Sequence, residues 1–309
     1  MKIGLIDVDG GKNFPNIALM KISAYHKSQG DEVIWYDLFS GHCDIVYMSK
    51  VFSFTPDYPY CIDADRIIRG RTGYCIELKD GKEVFHEELD TPLPDEVEHL
   101  YPDYSLYPEL TKDTAFGFLS RGCPRGCSFC IVGKKEGRCA RKVADLSEFW
   151  RGQKNIVLCD PNILSCKDWK DLLQQLIDSK AKVDFNQGLD IRIMTEEKIE
   201  MLKQIRIKEI HFAWDRYEDK EMILPKFQLF AKSYGLKPHS HNAVVYTIVN
   251  YDTTIEQDLD RIYTLRKLGY WAYVMIYDRQ HARPIYRKLQ RWCNMRSIFA
   301  SVPNFEDYK

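Results

Sequence analysis

The sequence lacks a dominant charge. Lys and Arg (44) almost cancel Asp and Glu (45), so no whole-chain field would draw the protein to DNA or anionic lipid, and any nucleic-acid contact must be local. It also lacks a long hydrophobic run. The apolar stretch "AVVYTIV" falls far short of a bilayer span, and "MKIGLIDVDGG" has neither the apolar length nor the cleavage site of a signal peptide. A soluble chain, no membrane partner and a cytoplasmic location are therefore expected. There is no G-x-G-x-x-G, and "DGGKN" is too weak to name a nucleotide. Internal repeats and low-complexity segments are absent as well.

Cysteine, by contrast, is plentiful. Ten thiols in a chain expected in a reducing compartment argue against a disulfide framework, and 309 residues with 45% hydrophobic content can bury one large core or two modest ones without covalent staples. A metal or cluster is the better reading. Cys43, Cys61, Cys75, Cys139, Cys159, Cys166 and Cys293 are scattered and read as small buried apolar residues. The exception is "SRGCPRGCSFCIVGKKEG" (120–137), which places Cys123, Cys127 and Cys130 within eight residues.

The pattern along the chain is α/β. "KIGLIDVD", "EVIWYDL" and "DIVYMSKVFSF" read as strands, with a helix over "NIALMKISAYHKSQG" that begins after Pro15 and stops at Gly30. Residues 1–78 are thus expected to form a Rossmann-like domain, a small parallel sheet with crossover helices. Residues 79–113, rich in charge, Pro and Tyr, read as a linker or cover segment that holds no long helix or central strand. Across 114–309 six apolar runs, "TAFGFLS", "NIVLCD", "KVDFNQG", "EIHFAWD", "NAVVYTIV" and "WAYVMIYD", alternate with amphipathic helices. They predict a partial (β/α)6 parallel barrel with a C-terminal helical extension, and function at the C-terminal strand ends.

The triplet follows the first of these six strands. Cys-x3-Cys-x2-Cys supplies three thiolates from one loop, and Gly122, Pro124 and Gly126 suit a backbone turning tightly around a compact object. Closed zinc or cluster sites take four protein ligands, so three leave one metal position for a non-protein ligand. A zinc site with Cys139 as fourth ligand is the competing explanation.

"RGCPRGCSFC" resembles the radical S-adenosylmethionine superfamily, in the version where a Rossmann-like domain precedes the radical barrel. The resemblance covers Thr114 to about Asp278 well and the N-terminal domain loosely. It implies that Cys123, Cys127 and Cys130 hold a 4Fe-4S cluster whose fourth iron chelates S-adenosylmethionine. Reductive cleavage of that cofactor would give a 5'-deoxyadenosyl radical that attacks the substrate. An external electron donor of flavodoxin or ferredoxin type is implied with it. Phe129 matches the aromatic position near adenine. Asp160 and Asn162 in "LCDPN" match polar groups set against the methionine amino end, with a helix cap as the alternative. Asn186, Gln187, Asp190 and Arg192 in "DFNQGLDIR" are candidates for the ribose hydroxyls and the methionine carboxylate, which the planar guanidinium fits. Asp215 is a further ribose candidate. A polar network closing the barrel mouth competes for the same residues. Asn250 stands where the family carries glycine, and Asp252 and Thr253 are read as caps of the next helix.

The substrate is open: a nucleobase or nucleic acid, or a peptide. Cobalamin is not expected, because the family's Asp-x-His-x-x-Gly is absent and His26 and His42 lack its context. Cys43, Cys61 and Cys75 match in number, but not in spacing, the set that holds a second cluster in radical methylthiotransferases. Lys134, Lys135, Arg138, Arg141 and Lys142 beside the triplet, and "RPIYRKLQRWCNMR" near the C-terminus, read either as phosphate grips or as solvated faces. His239, His241, Tyr246, Tyr273 and Tyr277 are candidate barrel-lining residues. The alternative of a different class is a non-catalytic, metal-stapled nucleic-acid-binding module.

Overall fold

The computed structural model describes residues 1–11, 13–79, 82–237 and 243–309, so His239 and His241 lie outside the described residues. It is a mixed α/β protein with parallel sheets, and the chain divides into two compact units, Met1–Val157 and Leu158–Lys309.

In Met1–Val157, β1 (Lys2–Asp7), β2 (Glu32–Trp35), β3 (Cys43–Ser49) and β4 (Ala64–Gly70) form a parallel sheet in the order β2-β1-β3-β4. β1 is an interior strand whose Ile3, Leu5 and Ile6 are buried, which is why it reads as an unbroken apolar run. Helix α1 (Ile17–Ser28) follows it. The Asn16 side chain caps α1 by accepting the Leu19 N–H at 3.2 Å, and Gly30 turns the chain away at φ 82°. Crossover helices were expected throughout this sheet, but 36–42 and 50–63 are loops. Gly41, Pro56 and Pro59 account for that.

After β4 come α2 (Thr72–Cys75) and an antiparallel hairpin, β5 (Ile76–Lys79) with β6 (Lys82–Phe85). From there to Asp113 the chain makes only short turns, α3 (Asp95–Glu98), which Pro94 precedes, and α4 (Pro108–Thr111), with Pro108 at its first position. β7 (Thr114–Gly117) leads to β8 (Ser120–Arg121), which pairs antiparallel with β9 (Arg141–Lys142) and brackets the cysteine loop and α5 (Val132–Lys135). At the start of β10 (Asn155–Leu158), the Asn155 N–H bonds the Asp113 carbonyl at 2.9 Å.

In Leu158–Lys309, β11 (Lys182–Phe185) pairs parallel with β12 (Arg206–Ile207). A separate parallel sheet runs β13 (Ile210–Ala213), β14 (Ala243–Val249), β15 (Trp271–Ile276). The helices are α6 (Trp169–Ser179), α7 (Glu196–Gln204), α8 (Lys220–Tyr234), α9 (Ile255–Lys267), α10 (Pro284–Asn294) and α11 (Arg296–Ser301). All six runs expected as strands are strands. Those in Leu158–Lys309 fall into two ladders, with the Leu189 N–H reaching the His211 carbonyl at 2.7 Å. Phe212 of β13 packs against Phe230 and Phe227 of α8, at 4.8 and 6.0 Å between ring centres, and fixes the helix-covered face of the sheet.

Helix α9 is not capped by Asp252 or Thr253. Thr254 and Gln257 form a reciprocal capping box, because the chain first turns through Asn250 at φ 61°. That left-handed turn explains why glycine was expected at 250, and asparagine tolerates the same conformation.

Arg261 of α9 is fully buried. Its Nη1 donates to the carbonyls of Trp214 (2.6 Å) and Asp215 (2.7 Å), and its Nη2 to Ile248 O (2.7 Å) and Asp258 Oδ1 (2.5 Å). Arg261→Ala leaves those acceptors and the Asp258 charge buried without a partner, so it should cost ~3–5 kcal/mol in denaturant unfolding. Arg261→Lys should recover only a minor part, since one ammonium cannot reproduce the planar fork.

Candidate functional site

The cysteine loop is shaped by close backbone approach. Gly122 has φ 87°, and a Cβ placed there would stand 2.3 Å from the Cys139 carbonyl oxygen, so only glycine lets the two ends of the loop meet. Glu136 secures the junction: its Oε2 accepts the Gly122 N–H at 3.1 Å and its Oε1 takes Arg121 Nη1 at 3.3 Å. The Cys123 N–H bonds Gly137 O, and the Cys130 N–H closes a turn onto Cys127 O, both at 3.1 Å. Cys123 and Cys127 are half-buried, Cys130 is exposed, and Phe129 between them is half-buried. Although exposed, Cys130 has its thiol pushed up in pKa. Neighbouring atoms displace water from it, which outweighs a backbone hydrogen bond at Val132, and the nearby Cys127 and Cys123 add to the rise.

Among the described residues no three His, Cys, Asp or Glu side chains are drawn together as they would be around a single ion. Cys139 is exposed, with its thiol turned to the Ala140 carbonyl at 3.7 Å. Cys43 is buried in β3, and Cys61 is exposed in a loop. Cys75 is buried against Lys135, whose Nζ lies 3.3 Å from its sulfur and also bonds Asp90. Of the basic run beside the triplet, Lys135 grips Asp90, Arg141 bonds the Glu136 carbonyl at 2.8 Å and Lys142 pairs with Asp145 at 2.5 Å.

The polar candidates of Leu158–Lys309 separate into two groups. Asp160, Asn162 and Asp190 are buried. Asn162 Nδ2 donates to Asp190 Oδ2 at 3.1 Å, and Arg192 Nε donates to Asp190 Oδ1 at 2.8 Å, so these three form one network. The Asn162 side chain makes no helix-cap bond, which removes the capping explanation for it. Asn186 and Gln187, expected inside the same group, are exposed. Gly188 explains the split: at φ 83°, with the His211 carbonyl 3.1 Å from where a Cβ would be, it turns the chain so that Leu189 and Asp190 go inward and the two amides outward.

Asp215 follows β13 and accepts the Ile248 N–H at 3.3 Å. Burial raises its carboxyl to about 6, against the pull of that hydrogen bond and of Arg261 and Arg192. Sequence reasoning missed Arg261 and Asp258. The available signal was that both fall on the Ile262 and Leu265 stripe of α9, all four being buried. It also missed His211, whose Nε2 meets Glu209 Oε2 at 2.9 Å and whose ring lies 5.3 Å from Tyr246. Tyr246 in turn meets Tyr273 edge-on at 5.7 Å, and Tyr277 meets Tyr251 edge-on at 4.6 Å.

No family model matches the chain, and no curated protein matches it either. Among solved structures, the fold is similar to that of the cobalamin-dependent S-adenosylmethionine radical enzyme OxsB with aqua-cobalamin and S-adenosylmethionine bound. The TM-score is 0.58 and the identity 13%, covering 100% of this chain and 56% of that one. The same enzyme with aqua-cobalamin alone gives a TM-score of 0.57 at 11% identity, over 95% of this chain and 55% of that one. The chain thus spans about half the length of these neighbours, and the likeness is one of fold. No helix among the described residues is long and apolar enough to cross a membrane.

Two outcomes follow from this geometry. Gly122→Ala should destabilise the protein by more than about 1 kcal/mol, while Gly126→Ala, whose Cβ would meet Arg138 no closer than 3.4 Å, should change the melting temperature little. For Asp215, the folded carboxyl holds its proton more tightly than the unfolded one. Its contribution is full below its ordinary value of 3.8 and is lost as pH rises through about 6, a change of ~3 kcal/mol. Melting curves of Asp215→Asn without ligand should lose that slope between pH 4 and 6.

Proposed function

We propose that the protein is a radical S-adenosylmethionine enzyme in which Cys123, Cys127 and Cys130 hold a 4Fe-4S cluster. The observation that carries this reading is the loop itself: three closely spaced thiols on a segment pinned by Gly122 and Glu136, in a chain whose fold is similar to that of a radical enzyme. When bound, the cluster and its cofactor supply one-electron reductive cleavage of a sulfur–carbon bond, yielding an abstracting 5'-deoxyadenosyl radical.

The chain's own residues have simpler tasks. The three thiolates would hold the iron, and Phe129 matches the family's aromatic position, beside which the backbone would lie near the adenine. Asp190, already bridging Asn162 and Arg192, would with them supply charged and neutral hydrogen-bonding groups for the methionine and ribose parts of S-adenosylmethionine. Asp160 and Asp215 are further candidates for that contact. Asn186 and Gln187, being exposed, would contribute only from the outer face of the turn. An external flavodoxin- or ferredoxin-type donor would supply the electron, and the substrate class stays open between a nucleobase or nucleic acid and a peptide.

The test is anaerobic reconstitution followed by iron, sulfide and 5'-deoxyadenosine measurement with a chemical reductant. One cluster per chain is expected, iron should be lost in Cys123→Ala, Cys127→Ala and Cys130→Ala, and S-adenosylmethionine should be cleaved slowly without substrate. Arg192→Ala should keep the cluster spectrum and weaken S-adenosylmethionine binding by roughly one to two decades. Zinc without sulfide in the wild type would overturn the reading.

A further inference from the structure

The solved structures of similar fold contain cobalamin, which raises the question of whether the N-terminal sheet here can hold any ligand. In an open parallel sheet, ligands enter beyond the carboxyl ends of the strands, where the strand order reverses. In Met1–Val157 that point lies between β1 and β3, which end at Asp7 and Ser49.

The polar groups at this point are already paired with one another. Asn16 Nδ2 donates to Ser49 Oγ at 2.7 Å across the gap, and the Val8 N–H bonds Ser49 O at 3.0 Å. Asp9 takes the Val51 N–H and the Thr55 hydroxyl, both at 2.6 Å. The last carboxylate, Asp7, accepts the Tyr107 hydroxyl at 2.7 Å. Tyr107 is 8% exposed, and its ring lies on the turn after β1 so closely that a Cβ on Gly11 would stand 2.5 Å from it. Trp35, at the end of β2, meets the same ring edge-on at 5.3 Å. The backbone that carries Tyr107 is fixed too, since the Thr111 hydroxyl bonds its carbonyl at 2.7 Å.

The histidines of the unit that were weighed as metal ligands are likewise engaged. His26 is buried with Nδ1 on Asp31 at 2.6 Å and Nε2 on the Tyr47 hydroxyl at 3.0 Å, and His42 Nδ1 bonds Asp63 at 2.9 Å. These residues do not fit a corrin.

We infer that the Tyr107 phenol occupies the ligand crevice of the N-terminal sheet, so that this unit takes no cobalamin and the crevice is filled by the chain's own side chain. The sheet then serves as scaffold for the cysteine loop in its own unit rather than as a second cofactor domain. The phenol suits the place because it supplies both the flat apolar surface that covers Gly11 and the donor that Asp7 requires once buried.

The experiment uses the full chain, first incubated with excess hydroxocobalamin and desalted. No cobalamin absorbance should stay with the protein, and retention near one per chain overturns the inference. In a second arm, Tyr107→Ala is melted with and without p-cresol, a free copy of the missing side chain. The melting temperature of the variant should rise by several degrees while that of the wild type stays put, and equal shifts in both would count against a vacated crevice. If the Ala variant does not fold, Tyr107→Phe keeps the ring and should still exclude cobalamin. Uptake by the Phe variant would mean that ring filling is not what closes the site. None of these readouts needs a cluster or turnover, so their failure is distinct from failure of the radical-enzyme reading.

Discussion

Parallel strands end in carbonyls that no neighbouring strand can satisfy, and in Leu158–Lys309 a single guanidinium meets those of Trp214, Asp215 and Ile248. Arg261 therefore sets where β13 and β14 stop and which way the chain leaves them. Its fork holds Asp215 beside Ile248, and the next turn must pass through left-handed Asn250 before Thr254 can cap α9. Burying Asp258 with Arg261 is a matched exception to the rule that helix charges face water, because neither would be tolerable in that interior alone.

The two candidate clusters face opposite electrostatic problems. The cysteine loop has to accumulate negative charge once its thiols ionise, and Arg121, Lys135 and Arg141 are held in the same stretch by Glu136, Asp90 and a backbone carbonyl. The polar network of the second unit is already near neutrality, with Asp190 offset by Arg192. A network so balanced meets a polar group by extending its hydrogen bonds rather than by cancelling a bare charge.

Much of this was legible in the residues. The six apolar runs are strands because burial on the covered face leaves them no other period, and Asn16 and Gly30 mark α1 because their local chemistry needs no distant partner. What escaped was decided at long range. "ADRIIRG" became β4 although Arg66 points to solvent, since an edge strand can carry charge on its open side. Asn186 and Gln187 looked equivalent to Asp190 in a linear reading, and only the left-handed turn at Gly188 sets them apart. Arg261 resembled any solvated helix charge, because its acceptors come from two strands remote in sequence.

The pinned cysteine loop also links the geometry of the site to folding. Gly122 against Cys139, Glu136 beneath Gly122, and Lys135 clamped to Asp90 are contacts of protein with protein. The conformational entropy of these residues is given up as the chain folds, so the spacing of the three thiols is tied to the stability of the fold around them.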